Sequence, residues 1–377
     1  MKLFINVSNL RFGGGKTVGM NIVDYYLNNI KIEKIILVAP SGCGYEVFLK
    51  KNRKIKIIFF PEIFNKSFFK LVSNYIVLPF LSVVYSCNFI LSLGNIAFPS
   101  LKRQFVLIHQ PYLAYPESIV WHRIRVNDLS FYKTIKQMLF FIRINLRYAK
   151  YIGVQTETMK ERISKLYNIP NNNVFVIPNA VSFTSKLFLG GSITENSKSI
   201  RLLFLSKYYP HKNFEILLDV GKEVKKRGLP ISFTVTINEN ENIGGKKFLE
   251  EVAKFELENV IINIGNVDLK AIPKTYEEHD GLFLPTLLES FSGTYIEAMY
   301  FNKPIFTSNL DFAKDVCKDV AFYFNPLDVD DILTVISEAF SQPELISSKI
   351  GLGKECIQNT KSWNDIGGYI DNNILNI

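Results

Sequence analysis

The chain has 377 residues and a formal net charge of +9, with 47% hydrophobic and 21% charged residues. This composition excludes a disordered chain, and the length exceeds that at which one hydrophobic core usually stops growing, so we expect two domains. Four cysteines without a CxxC pair or a nearby histidine pair exclude a disulfide framework and a zinc site, and favour a reducing, cytoplasmic compartment.

Short apolar runs alternate with helical patterns along the chain, which is typical of parallel α/β units. The first run is too short for the apolar core of a signal peptide and predicts a strand. The first half predicts strands at 2–8, 34–39, 55–60, 88–93, 104–109, 151–155 and 174–177, and helices at 17–29 and 128–150. The second half predicts strands at 201–206, 231–237, 259–263, 281–285, 304–307 and 321–324, and helices at 213–227, 246–256, 293–301 and 328–341.

One uncharged stretch, residues 71–93, is long enough to cross a bilayer. Asparagine, serine and proline residues interrupt it, and its last part resembles a buried strand. We therefore interpret it as a buried helix, a turn and a strand rather than a membrane span.

Two sequence features divide the chain into domains. The polar segment GGSITENSKS at 190–199 has the composition of a loop and separates two repeats of the strand and helix rhythm. After residue 361, apolar residues recur at helical spacing, and such a stripe must be buried against another surface. We predict a first domain at 1–180, a second at 181–360 and a terminal helix at 361–377.

The charge is divided unevenly between the two halves. Residues 1–180 carry 24 Lys/Arg and 8 Asp/Glu, a net charge of +16, whereas residues 181–377 carry a net charge of −7. Five cations also fall on one stripe of the helix predicted near 128–150, namely Lys133, Lys136, Arg143, Arg147 and Lys150. An anionic partner of the first half is expected. A membrane leaflet or phosphorylated lipid fits, and no recognised nucleic-acid motif is present, so we expect no nucleic-acid partner.

The strongest local signal is LPTLLESFSGTYIEAMYFNKPIFTS, residues 284–308. A buried strand ends in a loop that carries Glu289, and a helix begins near Ser292-Gly293 with Glu297 early in it. Free amides at a helix N-terminus attract anions, so this strand-to-helix switch is suited to a diphosphate. Two carboxylates on either side of it would hydrogen-bond sugar hydroxyls.

A second segment, FLSKYYPHKNFEILLD at 204–219, carries two cations one loop apart. Lys207 follows a predicted strand and Lys212 opens a predicted helix. Ammonium groups so spaced can converge on phosphate oxygens, where lysine acts as a compact point charge.

Together these segments resemble retaining glycosyltransferase family 4, which has the GT-B fold. ESFSGTYIEAM is similar to the family's E-x7-E signature, and the Lys207 to Lys212 segment is similar to its G-R-x-x-x-x-K-N segment, although Ser-Lys stands where Gly-Arg is usual. The resemblance implies two Rossmann-like domains with parallel sheets facing across a cleft, and a C-terminal helix that crosses back to the N-terminal domain. It also implies that a basic first domain binds the acceptor and that the second binds the nucleotide sugar.

The resemblance assigns roles to residues in both halves. Glu289 would lie by the donor sugar and Glu297 would bind the ribose, with Lys207 and Lys212 neutralising the departing diphosphate. The remaining assignments are to the diphosphate amides of Phe291, Ser292 and Gly293, to the base loop at Gly265 and Val267, to His109 close to the donor sugar, and to the acceptor loop at Gly13, Gly14, Gly15 and Lys16.

The function implied is transfer of a hexose with retention, from a UDP- or GDP-sugar to a lipid-linked glycan in surface-polysaccharide synthesis (O-antigen, capsule or lipopolysaccharide). We expect no cofactor and no required metal, because Asp328-Val329-Asp330 is better explained as the acidic start of a helix than as a metal motif. We expect a peripheral location at the inner face of the cytoplasmic membrane. A nucleotide-sugar epimerase and a non-catalytic sugar-nucleotide binder remain alternatives, and the sequence leaves the oligomeric state open.

Overall fold

The computed structural model describes residues 1–50, 53–180 and 199–376, so most of the predicted interdomain loop, 190–198, lies outside the described residues. The chain divides into two compact units. The first unit comprises 1–116, 129–180 and 361–377, and the second comprises 117–128 and 181–360. Residues 117–128, which we had assigned to the first domain, therefore group with the second unit.

Strands and helices alternate in both units. The strands are β1 Lys2–Asn6, β2 Lys34–Pro40, β3 Ile55–Phe60, β4 Phe89–Ser92, β5 Arg103–Leu107, β6 Tyr151–Val154, β7 Val174–Val176, β8 Ile200–Phe204, β9 Ile231–Val235, β10 Ile261–Asn263, β11 Gly281–Leu284, β12 Ile305–Ser308 and β13 Ala321–Phe324. The α-helices are α1 Gly13–Asn28, α2 Ser67–Val72, α3 Leu78–Val84, α4 Val120–Asn127, α5 Leu129–Asn145, α6 Glu157–Tyr167, α7 Ile216–Arg227, α8 Ile243–Lys254, α9 Ile272–Glu277, α10 Gly293–Tyr300, α11 Asp311–Cys317, α12 Val329–Phe340, α13 Pro343–Gln358 and α14 Trp363–Ile370.

Shorter helical turns complete the elements. A π-helical turn, Ser73–Val77, joins α2 to α3, and a second one, Asp371–Leu375, follows α14. The 3-10 helices are Tyr45–Lys50, Glu62–Asn65, Pro111–Leu113, Leu146–Tyr148, Asn171–Asn173, Pro210–Lys212 and Lys318–Val320.

Each unit contains one parallel sheet. The first sheet has the order β3-β2-β1-β4-β5-β6-β7 and the second has β10-β9-β8-β11-β12-β13. The inner strands are almost wholly buried, as in parallel sheets whose two faces are covered by helices. All thirteen predicted strands are confirmed, with ends that differ by at most two residues. Helices α4, α6, α9, α11 and α13 were not predicted; α9 and α11 are under two turns long, too short to show a helical repeat.

The segment after β3 differs from its prediction. A helix, a turn and strand β4 do follow one another there, but the helical part exposes apolar side chains instead of burying them. Within the described residues, no helix is both long enough and apolar enough to cross a membrane.

The C-terminal helix packs into the core of the first unit. Ile366, Ile370 and Ile374 are buried there. At its end, Asp371 accepts hydrogen bonds from the Tyr25 hydroxyl and the Asn29 side-chain amide, both at 2.6 Å. The apolar stripe of this helix is thus buried against α1, which completes the first unit with residues from the far end of the chain.

The contact between α14 and α1 depends on a glycine. A Cβ atom at Gly367 would lie 2.4–2.5 Å from ring atoms of Tyr25, whereas one at Gly368 would meet nothing within 4 Å. We expect Gly367→Ala to lower the free energy of unfolding of the first unit by about 1–3 kcal/mol through overpacking, while Gly368→Ala leaves it equal or higher. Urea unfolding of both variants tests this, and equal midpoints would contradict it.

Candidate functional site

The candidate site lies where the strand order of the second sheet reverses direction. β8 and β11 are neighbours there, although 76 residues of chain lie between the end of β8 at Phe204 and the start of β11 at Gly281. Ligands of such sheets bind outside the carboxyl ends of the strands at this switch point. The loops that follow β8 and β11 touch directly, because the Leu287 amide donates to the His211 carbonyl at 2.8 Å.

Lys212 and Glu289 form an ion pair at this point. Lys212 ends the 3-10 helix after β8, Glu289 lies in the loop after β11, and their side chains are only 12% and 11% exposed. Each of these two charges depends on the other, because a single unpaired charge buried this far from water would destabilise the folded protein. Burial, and then the charge of Lys212, hold the pKa of His211 well below its usual range, so this neighbour stays neutral. The structure thus places one ammonium and one carboxylate at the switch point.

Asn213 holds the Lys212 loop in place, and sequence reasoning missed it. Its backbone is left-handed (φ +62°) and its side chain is fully buried. The side-chain amide donates to the carbonyls of Pro285 (3.0 Å) and Pro326 (2.8 Å). Its side-chain oxygen accepts a hydrogen bond from Arg123 of α4. α4 thereby brings a second cation, from the first half of the sequence, into contact with the residue next to Lys212. No local sequence pattern predicts this contact.

The helix N-terminus predicted as an anion site is α10. It begins at Gly293, and the Ser292 hydroxyl pairs with the Thr294 hydroxyl (2.8 Å) instead of capping the helix. Amides in the first turn of a helix carry partial positive charge. Ser292 is buried and Phe291 half-buried, while Gly293 is exposed with open space where a Cβ atom would stand. This end of α10 follows Glu289 by four residues.

Glu297 lies one turn further along α10. The Tyr276 hydroxyl, itself buried, donates to the Thr294 carbonyl (3.2 Å) and to the Glu297 carboxyl group (3.4 Å). Burial raises the pKa of Glu297 to about 7, opposed by the hydrogen bond from Tyr276. This carboxyl group therefore keeps its proton to a higher pH than an exposed glutamate does. Tyr276 was not predicted.

The raised pKa of Glu297 makes stability depend on pH. The folded chain keeps this proton up to about pH 7, whereas an unfolded glutamate loses it near pH 4.5. The stabilisation is therefore complete below pH 4.5 and is lost as the pH rises through about 7. We expect wild type to lose about 3 kcal/mol more than Glu297→Gln between pH 5 and pH 9. Urea unfolding at both pH values measures this, and parallel losses would contradict it.

Lys207 has a different carboxylate partner from Lys212. Its ammonium group lies 2.7 Å from Glu241, and this pair is about half exposed. Glu241 also accepts a hydrogen bond from the Asn266 side chain at 2.9 Å. Gly265, next to Asn266, has a left-handed backbone (φ +71°), and the partly buried Val267 follows in the same loop. Glu241 thus connects Lys207 to the predicted base loop. The sequence analysis did not identify Glu241.

His109 lies in the first unit, just after β5. Its Nε2 is 2.9 Å from the Leu93 carbonyl, and its backbone amide donates to the Asn95 side chain at 2.5 Å. Burial lowers the pKa of His109 to about 4, against the opposite effect of hydrogen bonds with Leu93 and Gln155. The imidazole is therefore neutral at pH 7.

The glycine-rich loop and His109 are neighbours in the first unit. α1 begins at Gly13, whose backbone is left-handed (φ +67°), and no atom lies within 4 Å of a Cβ built on Gly13 or Gly14. A Cβ at Gly15 would lie 3.9 Å from the His109 ring. The Lys16 ammonium lies beside Gly44, 3.2 Å from where a Cβ would stand. The loop and the histidine thus meet at the carboxyl ends of β1 and β5.

The acidic motif after β13 caps a helix, as predicted. Asp328 precedes α12 and accepts hydrogen bonds from the amides of Asp330 (3.0 Å) and Asp331 (3.1 Å). Among the residues that the structure describes, no group of three His, Cys, Asp or Glu side chains is placed to hold a metal ion.

Comparison with known proteins bears on both family and fold. Residues 190–363 match the family described as Glycosyl transferases group 1. The chain is 22% identical over 251 residues to the O-antigen chain mannosyltransferase RfbU of Salmonella typhimurium, covering 66% of this chain and 64% of that relative, which is less than two thirds of its length.

Solved structures resemble the chain along its whole length. HepE of Anabaena in complex with UDP and glucose has a TM-score of 0.67 at 13% identity, covering all of both chains. The lipopolysaccharide outer core galactosyltransferase WaaB has a TM-score of 0.66 at 16% identity, covering 100% of this chain and 99% of that one. The predicted GT-B fold class, with two Rossmann-like domains, is confirmed. The match at 190–363 confirms the predicted resemblance to glycosyltransferases for that part of the chain.

Proposed function

We propose, from the premise that residues 190–363 form a group 1 glycosyl transferase domain, that this protein is a retaining hexosyltransferase. Its donor is a nucleoside diphosphate sugar, UDP- or GDP-linked. Its acceptor is a lipid-linked glycan of a surface polysaccharide such as O-antigen, capsule or lipopolysaccharide. Two named relatives support this: RfbU is an O-antigen chain mannosyltransferase, and WaaB is a lipopolysaccharide outer core galactosyltransferase.

The buried pair of Lys212 and Glu289 is the observation that carries the proposal. An ammonium group withdrawn from water interacts far more strongly with a diphosphate than an exposed one does. The start of α10 lies close by in sequence and adds the positive end of a helix dipole. When the donor binds, its diphosphate takes up the Lys212 charge and frees the Glu289 carboxylate to accept hydrogen bonds from the donor sugar.

The reaction replaces one bond at the anomeric carbon by another. The bond to the diphosphate oxygen breaks, and the electron pair leaves with the diphosphate. The acceptor hydroxyl passes its proton to the departing diphosphate oxygen and bonds to the same carbon on the face that the diphosphate leaves, so the configuration is retained. Lys212, Lys207 and the amides of Phe291, Ser292 and Gly293 stabilise the negative charge that develops on the leaving group.

The remaining assignments divide between the units. In the second unit, Glu297 accepts hydrogen bonds from the ribose, and Gly265 and Val267 shape the base site. HepE of Anabaena, which has the same fold, was solved with UDP, and this supports such a nucleotide site.

The first unit binds the acceptor through Gly13, Gly14, Gly15 and Lys16. His109, neutral at pH 7, lies near the donor sugar in this proposal without adding charge to the site. Lys133, Lys136, Arg143, Arg147 and Lys150 all lie on the solvent-exposed face of α5 and its end. This basic face supports peripheral binding at the inner side of the cytoplasmic membrane.

Donor chemistry requires no metal in this proposal, because lysine and helix amides neutralise the diphosphate. We expect the transfer rate to be unchanged by EDTA. Loss of turnover with EDTA and its recovery with manganese would contradict this.

The deciding experiment incubates the protein with a panel of nucleotide sugars and a membrane lipid extract. We expect a glycolipid that appears only with one donor and keeps the anomeric configuration of that donor. Conversion of the donor without an acceptor would indicate an epimerase, and saturable donor binding without turnover would indicate a binding protein.

A further inference from the structure

The helical segment between β3 and β4 is unusual in what it exposes. Six apolar side chains on α2, the π-helical turn and α3, each between 46% and 69% exposed, form what we call the apolar ridge: Phe68, Leu71, Ile76, Phe80, Val83 and Val84. Clusters of this kind on a soluble surface mark interaction sites.

Three polar residues of the same segment face inward. Ser73, Asn74 and Ser82 are buried. Their hydrogen bonds are made inside the unit: Asn74 donates to the Ala97 carbonyl at 3.2 Å, and both serines bond to backbone carbonyls of their own helix. A helix adapted to water has the opposite arrangement, with its apolar stripe inside. The outer face of this segment is therefore suited to an apolar environment.

α5 packs beside the apolar ridge and carries the basic face. The Tyr75 and Phe141 rings meet edge to face, 5.9 Å apart, and Asn74 donates to the Asn145 side chain at 3.4 Å. The stretch from residue 129 to 150 contains five exposed cations and no acidic residue. Phe140, 64% exposed, falls within the same stripe of α5. Cations mixed with exposed aromatic side chains are typical of surfaces that lie in the membrane interface.

The basic face continues into a cavity at the ends of α5 and α6. This cavity has a volume of about 690 Å³. Among the described residues, its lining includes Arg143, Arg147, Lys150 and Lys165 and no acidic side chain. The Arg143 guanidinium lies over the Tyr167 ring, 5.9 Å from its centre. Four cations around one opening favour the binding of phosphate groups, although Glu161 lies one helical turn before Lys165.

We propose that the apolar ridge and the basic face with its cavity form one docking surface for an anionic membrane. The ridge enters the boundary between headgroups and acyl chains, and the cations hold lipid phosphates. Charge argues for a membrane over a second copy of the chain, because a two-fold contact through this surface would bring two basic faces together. This inference rests on the proposed function. It adds the surface at which the protein would meet a lipid-linked acceptor.

The test is flotation with vesicles in the absence of nucleotide sugar, using phosphatidylcholine alone and phosphatidylcholine with phosphatidylglycerol. We expect wild type to float with the anionic vesicles only. Phe80→Ser/Val83→Ser should lower the partition coefficient at least tenfold at low and high salt. Arg143→Gln/Arg147→Gln should lower it about tenfold or more at low salt, with less effect at high salt.

Matched controls come from the second unit. Leu269→Ser removes an apolar side chain that is 82% exposed, and Lys222→Gln/Lys226→Gln removes two exposed cations. Both should float as wild type does. Because all substituted side chains are exposed, unchanged circular dichroism and thermal midpoints should accompany every variant.

Three results would overturn the inference. The first is equal flotation of wild type and the ridge variant. The second is a dimer in light scattering that the ridge variant abolishes, which would make the ridge a contact between copies. The third is loss of flotation with millimolar inorganic phosphate at constant ionic strength, which would indicate a site for a free anion. Failure of this inference and failure of the proposed function give different results. If only the proposed function fails, the protein still floats with vesicles but forms no donor-dependent glycolipid. If only the docking fails, transfer to a detergent-solubilised acceptor remains intact.

Discussion

Replacing Lys212 by alanine is expected to lower the rate of glycosyl transfer by about two to three orders of magnitude, the usual effect of removing one group that stabilises transition-state charge. The Lys212 side chain is only 12% exposed, so water cannot easily take the place of its ammonium group in the variant. Because the developing charge is on the diphosphate, kcat should fall more than KM rises. Steady-state kinetics with the identified donor and acceptor measure both.

The control for Lys212→Ala is Lys222→Ala. Lys222 also belongs to the second unit and also pairs with a carboxylate, that of Asp219, but this pair is exposed. An exposed ion pair contributes little, so the control should transfer at the wild-type rate and unfold normally. A folded Lys212→Ala protein with near-normal kcat would contradict the site assignment.

Glu289→Ala is expected to cause a loss of similar size, about two to three orders of magnitude. Removing the carboxylate takes away a hydrogen-bond acceptor for the donor sugar and leaves Lys212 buried without its partner. Loss of one partner of a buried ion pair destabilises a protein by roughly 3–5 kcal/mol, so kinetics must be compared at a temperature where both proteins are folded.

The double variant Lys212→Ala/Glu289→Ala gives a sharper test of Glu289. Groups that act as one unit are not additive, so the double variant should lose about as much activity as either single variant. It should also recover stability relative to Glu289→Ala, because no charge remains buried and unpaired. Glu256→Ala, which removes the acid of the exposed Lys225 pair, is the matched control and should change neither quantity. Additive losses would show that the two residues act separately.

Both predictions depend on a contact between residues that are 77 positions apart in sequence. The local patterns identified each partner, because Lys212 follows a strand and Glu289 lies between a strand and a helix. The contact itself follows from the order of the strands in the second sheet, where β8 pairs with β11. The sequence predicts parallel strands without their order, so it could not predict which carboxylate each lysine contacts. In the structure Lys207 pairs with Glu241 and Lys212 with Glu289. Their convergence on one diphosphate stays a prediction.

The sequence alone determined the elements that local periodicity controls. A strand buried on both faces must be apolar throughout, and this requirement made the inner strands of both sheets predictable from sequence. The E-x7-E spacing at Glu289 and Glu297 is local as well, because strand, loop and helix are consecutive there.

Only the tertiary structure decided features that join distant segments. Arg123 reaches Asn213 because α4 packs with the second unit, 90 residues away in sequence. The helix before β4 was expected to be buried, since its composition is apolar. Its Asn74 and Ser82 face inward instead, where neighbouring backbone groups satisfy them. Composition gives the amount of apolar surface in a segment. Which side of the segment faces the core depends on the hydrogen-bonding groups that the fold places beside it.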